Sequence, residues 1–222
     1  MSVKKMIEVH NLYKKVGEDN CILTDISLHI NQGEFVSIMG PSGSGKSTLL
    51  GILAGIDSPL KGNVLINGTD ITKMSETRLC KYRNETIGII LQSPNLIDTL
   101  TALENIQVPI LFSKKDKDMT KAKEMLSLVG LGAKAKCYPK QLSGGEAQRI
   151  SIARTLACSP QVIFADEPTG ALDSQNGKMV IEILKDIVQK KNVTVVMVTH
   201  DENLAKQTDR IVYLKDGRIC NE

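Results

Sequence analysis

Residues 7–39 alternate between apolar and polar positions, which predicts β-strands. Segments 22–30 and 34–39 carry this alternation, and the turn signal Asn31-Gln32-Gly33 separates them. Residues 46–55 instead repeat apolar side chains at helical spacing and end on a glycine. The dipeptide Asn67-Gly68 then predicts a hairpin, and with it another short β unit.

A helical period follows between about Ser93 and Cys158. Thr101 and Glu104 have the spacing of a capping box, Thr120 can cap the next helix, and Gly145 begins an apolar-striped stretch. The fold class that this predicts is α/β, with an inserted α-helical subdomain at 93–158.

After this block, strand and helix patterns alternate again. Runs 162–166, 193–199 and 210–214 are apolar and strand-like, and a helix capped by Ser174 lies between the first two. Such alternation is typical of a parallel sheet. We therefore expect a single domain over 1–222, in which 1–92 and 159–222 form a parallel-sheet core with an N-terminal antiparallel β part.

Composition and charge exclude several classes of protein. The 222 residues include 28 Lys and Arg against 25 Asp and Glu, a net charge of +3 that gives no reason to expect a nucleic-acid partner. The local excess of lysine between Lys114 and Lys140 favours a solvated helical face over an anionic-membrane contact. Five scattered cysteines indicate reduced thiols in the cytoplasm, and no apolar run approaches the roughly 18 residues of a membrane span.

Residues 40–48 predict a phosphate-binding loop. They match GxxxxGK[ST] and lie between a buried apolar strand and a helix, as the mechanism requires. Glycines let successive N–H groups point at phosphate oxygens, and the following helix adds its positive end. Lys46 would supply a point charge to the outer phosphates, and the Ser47 hydroxyl would bind Mg²⁺. The candidate phosphate-binding residues are Gly40, Pro41, Ser42, Gly43, Ser44, Gly45, Lys46, Ser47 and Thr48.

Polar side chains also follow three predicted strands. Asp166 and Glu167 end the run 162–166, at the sheet edge where ligands of α/β proteins gather. Asp166 would hold Mg²⁺, and Glu167 would orient and deprotonate the attacking water. Gln92, after strand 87–91, can meet Mg²⁺ or that water, and His200, after strand 193–199, can donate to the γ-phosphate. In isolation, Gln92 would be read as a polar surface residue and His200 as a satisfied structural residue.

The segment Leu142-Ser143-Gly144-Gly145-Glu146 begins a helix with two glycines and a hydroxyl. Unpaired N–H groups at a positive helix end can bind a second phosphate, with Ser143, Gly144 and Gly145 as the contacts. The alternative is a serine N-cap with a flexible entry.

These motifs together resemble the nucleotide-binding subunit of an ATP-binding cassette (ABC) transporter over essentially the whole chain. They are GPSGSGKST (40–48), Gln92, LSGGE (142–146), VIFADE (162–167), ALD (171–173) and His200. The run FADEPTGALD is similar to the branch with lipoprotein-release, macrolide-efflux and bacitracin-type peptide-resistance ATPases.

The resemblance implies Mg²⁺-dependent ATP hydrolysis in a head-to-tail dimer. Ser143 and Gly145 of one copy would close over ATP held by 40–48 of the other, and Asp173 would lie at the dimer seam. It also implies a separately encoded membrane permease that holds the chain at the inner face of the membrane. Export or extraction of lipids, peptides or drugs would be the transport reaction.

Three departures from the family pattern stand out. Val16 occupies the place of a usual adenine-stacking aromatic, with Tyr13 three residues earlier. Glu146 replaces a more familiar Gln, and a carboxylate near a triphosphate repels it unless it points away. Aliphatic residues 89–91 precede Gln92 where aromatics are common.

Two other functions stay open from the residues. A soluble cassette ATPase, such as an iron–sulfur cluster assembly scaffold, shares the motifs. A kinase or GTPase shares the phosphate loop, and Lys114-Lys115-Asp116 faintly resembles a guanine-reading motif. In the transporter hypothesis the permease would dock on apolar residues after Gln92, although most of them are expected to pack the core. These are Leu96, Ile97, Leu100, Leu103 and Ile106.

Overall fold

The computed structural model describes residues 4–17, 20–113 and 118–220, so the Lys114-Lys115-Asp116 segment lies outside the described residues. The strands are β1 (Lys5–Val16), β2 (Asn20–Asn31), β3 (Phe35–Met39), β4 (Lys61–Ile66), β5 (Thr69–Asp70), β6 (Ile87–Ile90), β7 (Val162–Asp166), β8 (Thr194–Val198), β9 (Arg210–Lys215) and β10 (Arg218–Cys220). The helices are α1 (Lys46–Leu53), α2 (Glu76–Thr86), α3 (Ala102–Phe112), α4 (Thr120–Leu128), α5 (Gly144–Leu156), α6 (Ser174–Lys191) and α7 (Glu202–Ala205), with 3₁₀ turns at Gly132–Lys134 and Pro139–Gln141.

The strands form two sheets. An antiparallel sheet has the order β2-β1-β4-β5, and β4 and β5 join at the predicted Asn67-Gly68 turn. A second sheet has the order β10-β9-β3-β8-β7-β6, in which every neighbouring pair except β9 and β10 is parallel. The predicted α/β core with a parallel sheet and an N-terminal antiparallel part is confirmed.

The parallel sheet is buried on both faces, as expected when helices or another sheet cover each side. Successive residues of β7 pack into two different hydrophobic clusters. Ile163 packs with α3, α5 and α6, and Phe164 packs with α1 and the antiparallel sheet. Both side chains are fully buried. This burial fixes the carboxyl ends of the strands, where the candidate catalytic residues lie.

Helices α3, α4 and α5 fall within the range 93–158 and pack on one another. The predicted capping box at the start of α3 is present. The Glu104 N–H donates to Thr101 Oγ1 at 3.3 Å, and the Thr101 N–H donates to Glu104 Oε2 at 2.8 Å. Among the described residues, no helix combines the length and the apolar character needed to cross a membrane.

Two predicted caps are wrong by one or two residues. Thr120 is the first residue of α4, and its N–H and hydroxyl both donate to Asp118 Oδ1. Ser174 is likewise the first residue of α6, and Asp173 caps that helix through the N–H groups of Gln175 and Asn176. At both helix starts the hydrogen-bond acceptor is a carboxylate, Asp118 or Asp173, and not the hydroxyl of the predicted capping residue.

Helix α2 was not predicted. It is strongly polar and only Thr86 among its residues is buried, so it lacks the apolar stripe from which helices are recognised. The strand predicted at 87–91 ends at Ile90, and the Leu91 side chain is 40% exposed.

Candidate functional site

The loop between β3 and α1 forms one wall of a cleft of about 710 Å³. Gly40, Gly43 and Gly45 have φ values of 154°, 78° and 99°, in the region that favours glycine. Gly40 also passes so close to β9 that a Cβ would collide with the Leu214 carbonyl oxygen. The predicted glycine-rich turn therefore has steric as well as conformational reasons for glycine.

Lys46 is only 9% exposed, and its ammonium is bound inside the loop. Its Nζ donates to the Gly40 carbonyl at 2.9 Å and to the Pro41 carbonyl at 2.8 Å. These bonds hold a positive charge beside the N–H groups of the loop. Such a combination suits an anion with several oxygens.

Ser47 lines the cleft and contacts Asp166, which is not among the described lining residues. The Ser47 hydroxyl lies 3.3 Å from Asp166 Oδ1, although the two residues are 119 positions apart. The pKa of Asp166 is raised overall, mainly by burial and also by the neighbouring Glu167. The hydrogen bond from Ser47 and the charge of Lys46 oppose this rise. A hydroxyl and a carboxylate are hard oxygen donors, which fit Mg²⁺ when phosphate oxygens complete its shell.

Glu167 follows Asp166 with a left-handed backbone, φ 44°, which is rare for a residue with a side chain. Its N–H donates to the Val198 carbonyl at 3.0 Å, and this bond holds the turn to the end of β8. Glu167 Oε1 lies 3.1 Å from His200 Nδ1, and both side chains line the cleft. The predicted turning of the chain after the strand thus aims the carboxylate at the phosphate side.

Gln92 approaches the same carboxylate from another direction. A Cβ built on Gly170 would lie 2.9 Å from Gln92 Nε2 and 3.2 Å from Glu167 Oε2, so both polar groups flank this glycine. Gln92 is exposed and, among the described residues, is not part of the cleft lining.

Ser143, Gly144 and Gly145 also lie outside the cleft, as the described lining residues show. They start α5 with a full capping box: the Glu146 N–H donates to Ser143 Oγ at 3.2 Å, and the Ser143 N–H donates to Glu146 Oε2 at 2.9 Å. Lys134 pairs with Glu146 Oε1 at 3.1 Å. These two contacts hold the Glu146 carboxylate against its own helix start. The hydrogen bond from the Ser143 backbone, and then Lys134, also lower the pKa of Glu146.

Sequence reasoning missed five of the residues that line the cleft. They are Asn20, Cys21 and Ile22 at the start of β2 and the turn Asp216-Gly217 between β9 and β10. The Asp-Gly dipeptide after strand 210–214 was an available hairpin signal. Neither Tyr13 nor Val16 is among the described lining residues, and Val16 is 55% exposed.

Comparison with known proteins agrees with this geometry. The family model described as ABC transporter matches residues 23–170. The ABC transporter ATP-binding protein MJ1508 of Methanocaldococcus jannaschii is 48% identical over 219 residues, which are 96% of this chain and 97% of that protein. The macrolide export ATP-binding/permease protein MacB of Mannheimia succiniciproducens is 41% identical over 98% of this chain, which spans 34% of that protein.

A solved structure matches over nearly the full length. It is the dimeric structure of a post-hydrolysis state of the ATP-binding cassette MJ0796 bound to ADP and Pi. The TM-score is 0.88 at 41% sequence identity, and the match covers 97% of each chain.

Proposed function

Because the chain belongs to the ABC transporter family, we propose that it hydrolyses ATP with Mg²⁺ and thereby powers a separately encoded membrane permease. One observation carries the proposal. Most of the phosphate loop lines one cleft together with Glu167 and His200, and Asp166 is hydrogen-bonded to the lining residue Ser47. Among the described residues, the start of α5 lies outside this cleft. The cleft therefore has catalytic groups but only one of its two predicted phosphate-binding helix starts.

Within one chain, the residues divide the chemistry as follows. The loop N–H groups and Lys46 bind the phosphates, and Ser47, Asp166 and Gln92 would hold Mg²⁺, which neutralises developing charge. Glu167 orients the attacking water and accepts its proton. His200 is paired with Glu167 through Nδ1, and its other ring nitrogen would face the γ-phosphate.

A second copy supplies the missing helix start. In a head-to-tail dimer, Ser143, Gly144 and Gly145 of one chain close over the γ-phosphate bound by the other. Closure excludes water and strengthens each charge contact, and loss of the γ-phosphate releases the grip. The solved relative MJ0796, a dimer bound to ADP and Pi, supports this arrangement.

Only part of the surface that the sequence indicated for the permease is accessible: Ile97 is 43% exposed. Ile106 is fully buried, and Leu96 and Leu103 pack against the core, so these three residues are unsuited to docking. Phe112 is 74% exposed and Leu111 is 61% exposed. Phe112 also borders an open apolar groove of about 760 Å³ along α2 and β6. We assign the permease to this side, which would hold the chain at the inner face of the membrane.

The relatives also bear on the cargo. MacB is named as a macrolide export protein. From this likeness we infer that the present chain drives export or extraction of lipids, peptides or drugs. The reported relatives are transporter ATP-binding proteins, so the iron–sulfur scaffold alternative is not favoured.

The test is the rate of phosphate release per chain as a function of chain concentration at saturating MgATP. We expect the specific rate to rise with concentration and then to level off as dimers form. The Lys46→Ala chain is the control for contaminating ATPases. A specific rate that stays constant down to the lowest concentration would contradict a site shared between two copies. Co-purification of a membrane protein encoded beside this chain tests the permease separately.

A further inference from the structure

Asn176, which belongs to none of the motifs, bridges two segments that the proposed dimer presents to its partner copy. It lies in the first turn of α6, and its Nδ2 donates to Asp173 Oδ2 at 2.6 Å. Its Oδ1 accepts from Arg149 Nη1, on α5, at 3.1 Å. One amide therefore joins residues 171–173, called the Asp173 loop below, to α5, the helix that Ser143 caps.

Close packing supports the same connection. Gly145 is buried, and a Cβ on it would collide with the amide of Asn176 and lie 2.9 Å from Asn176 Cβ. One residue earlier, a Cβ on Gly144 would touch Leu172 of the Asp173 loop at 3.9 Å. The helix start and the loop thus contact each other through both glycines.

The bridge needs a group that both donates and accepts, as the amide of Asn176 does. Asp173 can only accept and Arg149 can only donate, so the group between them must donate on one side and accept on the other. Arg149 Nε is buried and has no partner among the described residues, which makes the Asn176 oxygen a principal acceptor of this guanidinium. Aspartate at 176 would still serve Arg149 but would repel Asp173.

We propose that Asn176 is a positioning residue that fixes the Asp173 loop to the Ser143 helix start. The two segments then enter the partner's nucleotide site as one rigid piece. This inference rests on the head-to-tail dimer of the proposed function. Asn176 is not among the described residues that line the cleft of its own chain. Substitution of Asn176 should therefore leave the affinity of the single chain for the nucleotide unchanged.

The first test compares variants in a Glu167→Gln background with MgATP, using sedimentation to measure the dimer dissociation constant. Asn176→Ala should raise this constant at least tenfold and change ATP affinity of the single chain by less than twofold. Gln189→Ala, an amide lost from an exposed position of the same helix, should leave both values unchanged. Unchanged dimerisation of Asn176→Ala would overturn the proposal.

The second test separates positioning from general destabilisation by a double-mutant cycle. Asn176→Asp should weaken dimerisation more than Asn176→Ala. Adding Asp173→Asn exchanges donor and acceptor and should recover at least fivefold of that loss. If the two substitutions simply add, Asn176 does not act through Asp173 and the inference fails.

The same series distinguishes this failure from failure of the proposed function. If Glu167→Gln alone does not dimerise with MgATP, the head-to-tail dimer is wrong, and the role of Asn176 falls with it. If Glu167→Gln dimerises and the Asn176 variants match it, only the role of Asn176 is wrong.

Discussion

Substitution of Gly145 by alanine tests the packing between α5 and α6 directly. The added Cβ would occupy the space of the Asn176 amide, so that side chain must swing away or remain under strain. Swinging away breaks the bonds to Asp173 and Arg149, which contribute about 0.5–1.5 kcal/mol each. Remaining in place costs about 1–3 kcal/mol of overpacking. Either way the free energy of unfolding falls by about 1–3 kcal/mol, before the gain in helix propensity is counted.

Gly144→Ala is the matched control because it brings a similar gain in helix propensity, about 1 kcal/mol. Its Cβ would meet only Leu172 within 4 Å, at the ordinary contact distance of 3.9 Å. The difference between the two variants therefore isolates the clash. For a domain of this length, a difference of about 2 kcal/mol corresponds to about 4–8 °C in melting temperature.

Thermal unfolding of the nucleotide-free chain, followed by circular dichroism, measures that difference. In an Asn176→Gly background both the obstructing amide and the Asn176 Cβ are gone, and Gly145→Ala should then cost no more than Gly144→Ala, within about 0.5 kcal/mol. Equal melting temperatures for the two single variants would refute the clash. A Gly145→Ala cost that persists without Asn176 would show that another neighbour causes it.

Three further predictions concern the cleft and the α5 capping box. Glu167→Gln should lower the rate of phosphate release by about 10² to 10⁴ through loss of the base, while ATP affinity measured by calorimetry stays within twofold; near-normal turnover would remove Glu167 from this role. Lys46→Ala should instead weaken ATP affinity itself, and unchanged affinity would exclude a phosphate contact. Glu146→Gln retains the capping geometry and removes the Lys134 ion pair. Because the pKa of Glu146 is lowered in the folded chain, its stabilisation is present above its ordinary pKa and is lost as pH falls through the lowered value. The variant should therefore lose less stability between pH 7 and pH 3 in denaturant titrations, and an unchanged pH profile would contradict this.

Much of the candidate cleft could be predicted from the sequence, because its phosphate loop, Glu167 and His200 each follow a strand that the apolar pattern marks. Asp166 and His200 each follow a buried apolar run, and the carboxyl ends of parallel strands meet at one sheet edge. In a parallel sheet, Glu167 and His200 come close together if the strands that precede them, β7 and β8, are neighbours, and they are. The phosphate loop is similarly fixed by its strand, its glycines and its helix.

Other features depend on information that is not local. The polar helix α2 offers no apolar period, and side chains of the helix are tied to distant carbonyls, Tyr82 to Ile66 and Arg83 to Gly55. Ile97 and Ile106 are the same residue type nine positions apart, yet one is 43% exposed and the other is fully buried. Hydrophobicity alone could not separate a docking residue from a core residue there.

Gly144 and Gly145 show how one motif can serve two purposes. Residue type gives both glycines the same predicted role, which is to leave N–H groups open to a phosphate. The structure separates them, since Gly144 is exposed and Gly145 is buried against a side chain 31 positions later in the chain. Loss of activity on replacing Gly145 would therefore combine a lost phosphate contact with a displaced Asp173 loop. Only removal of Asn176, which frees the space without touching the helix start, distinguishes these two causes.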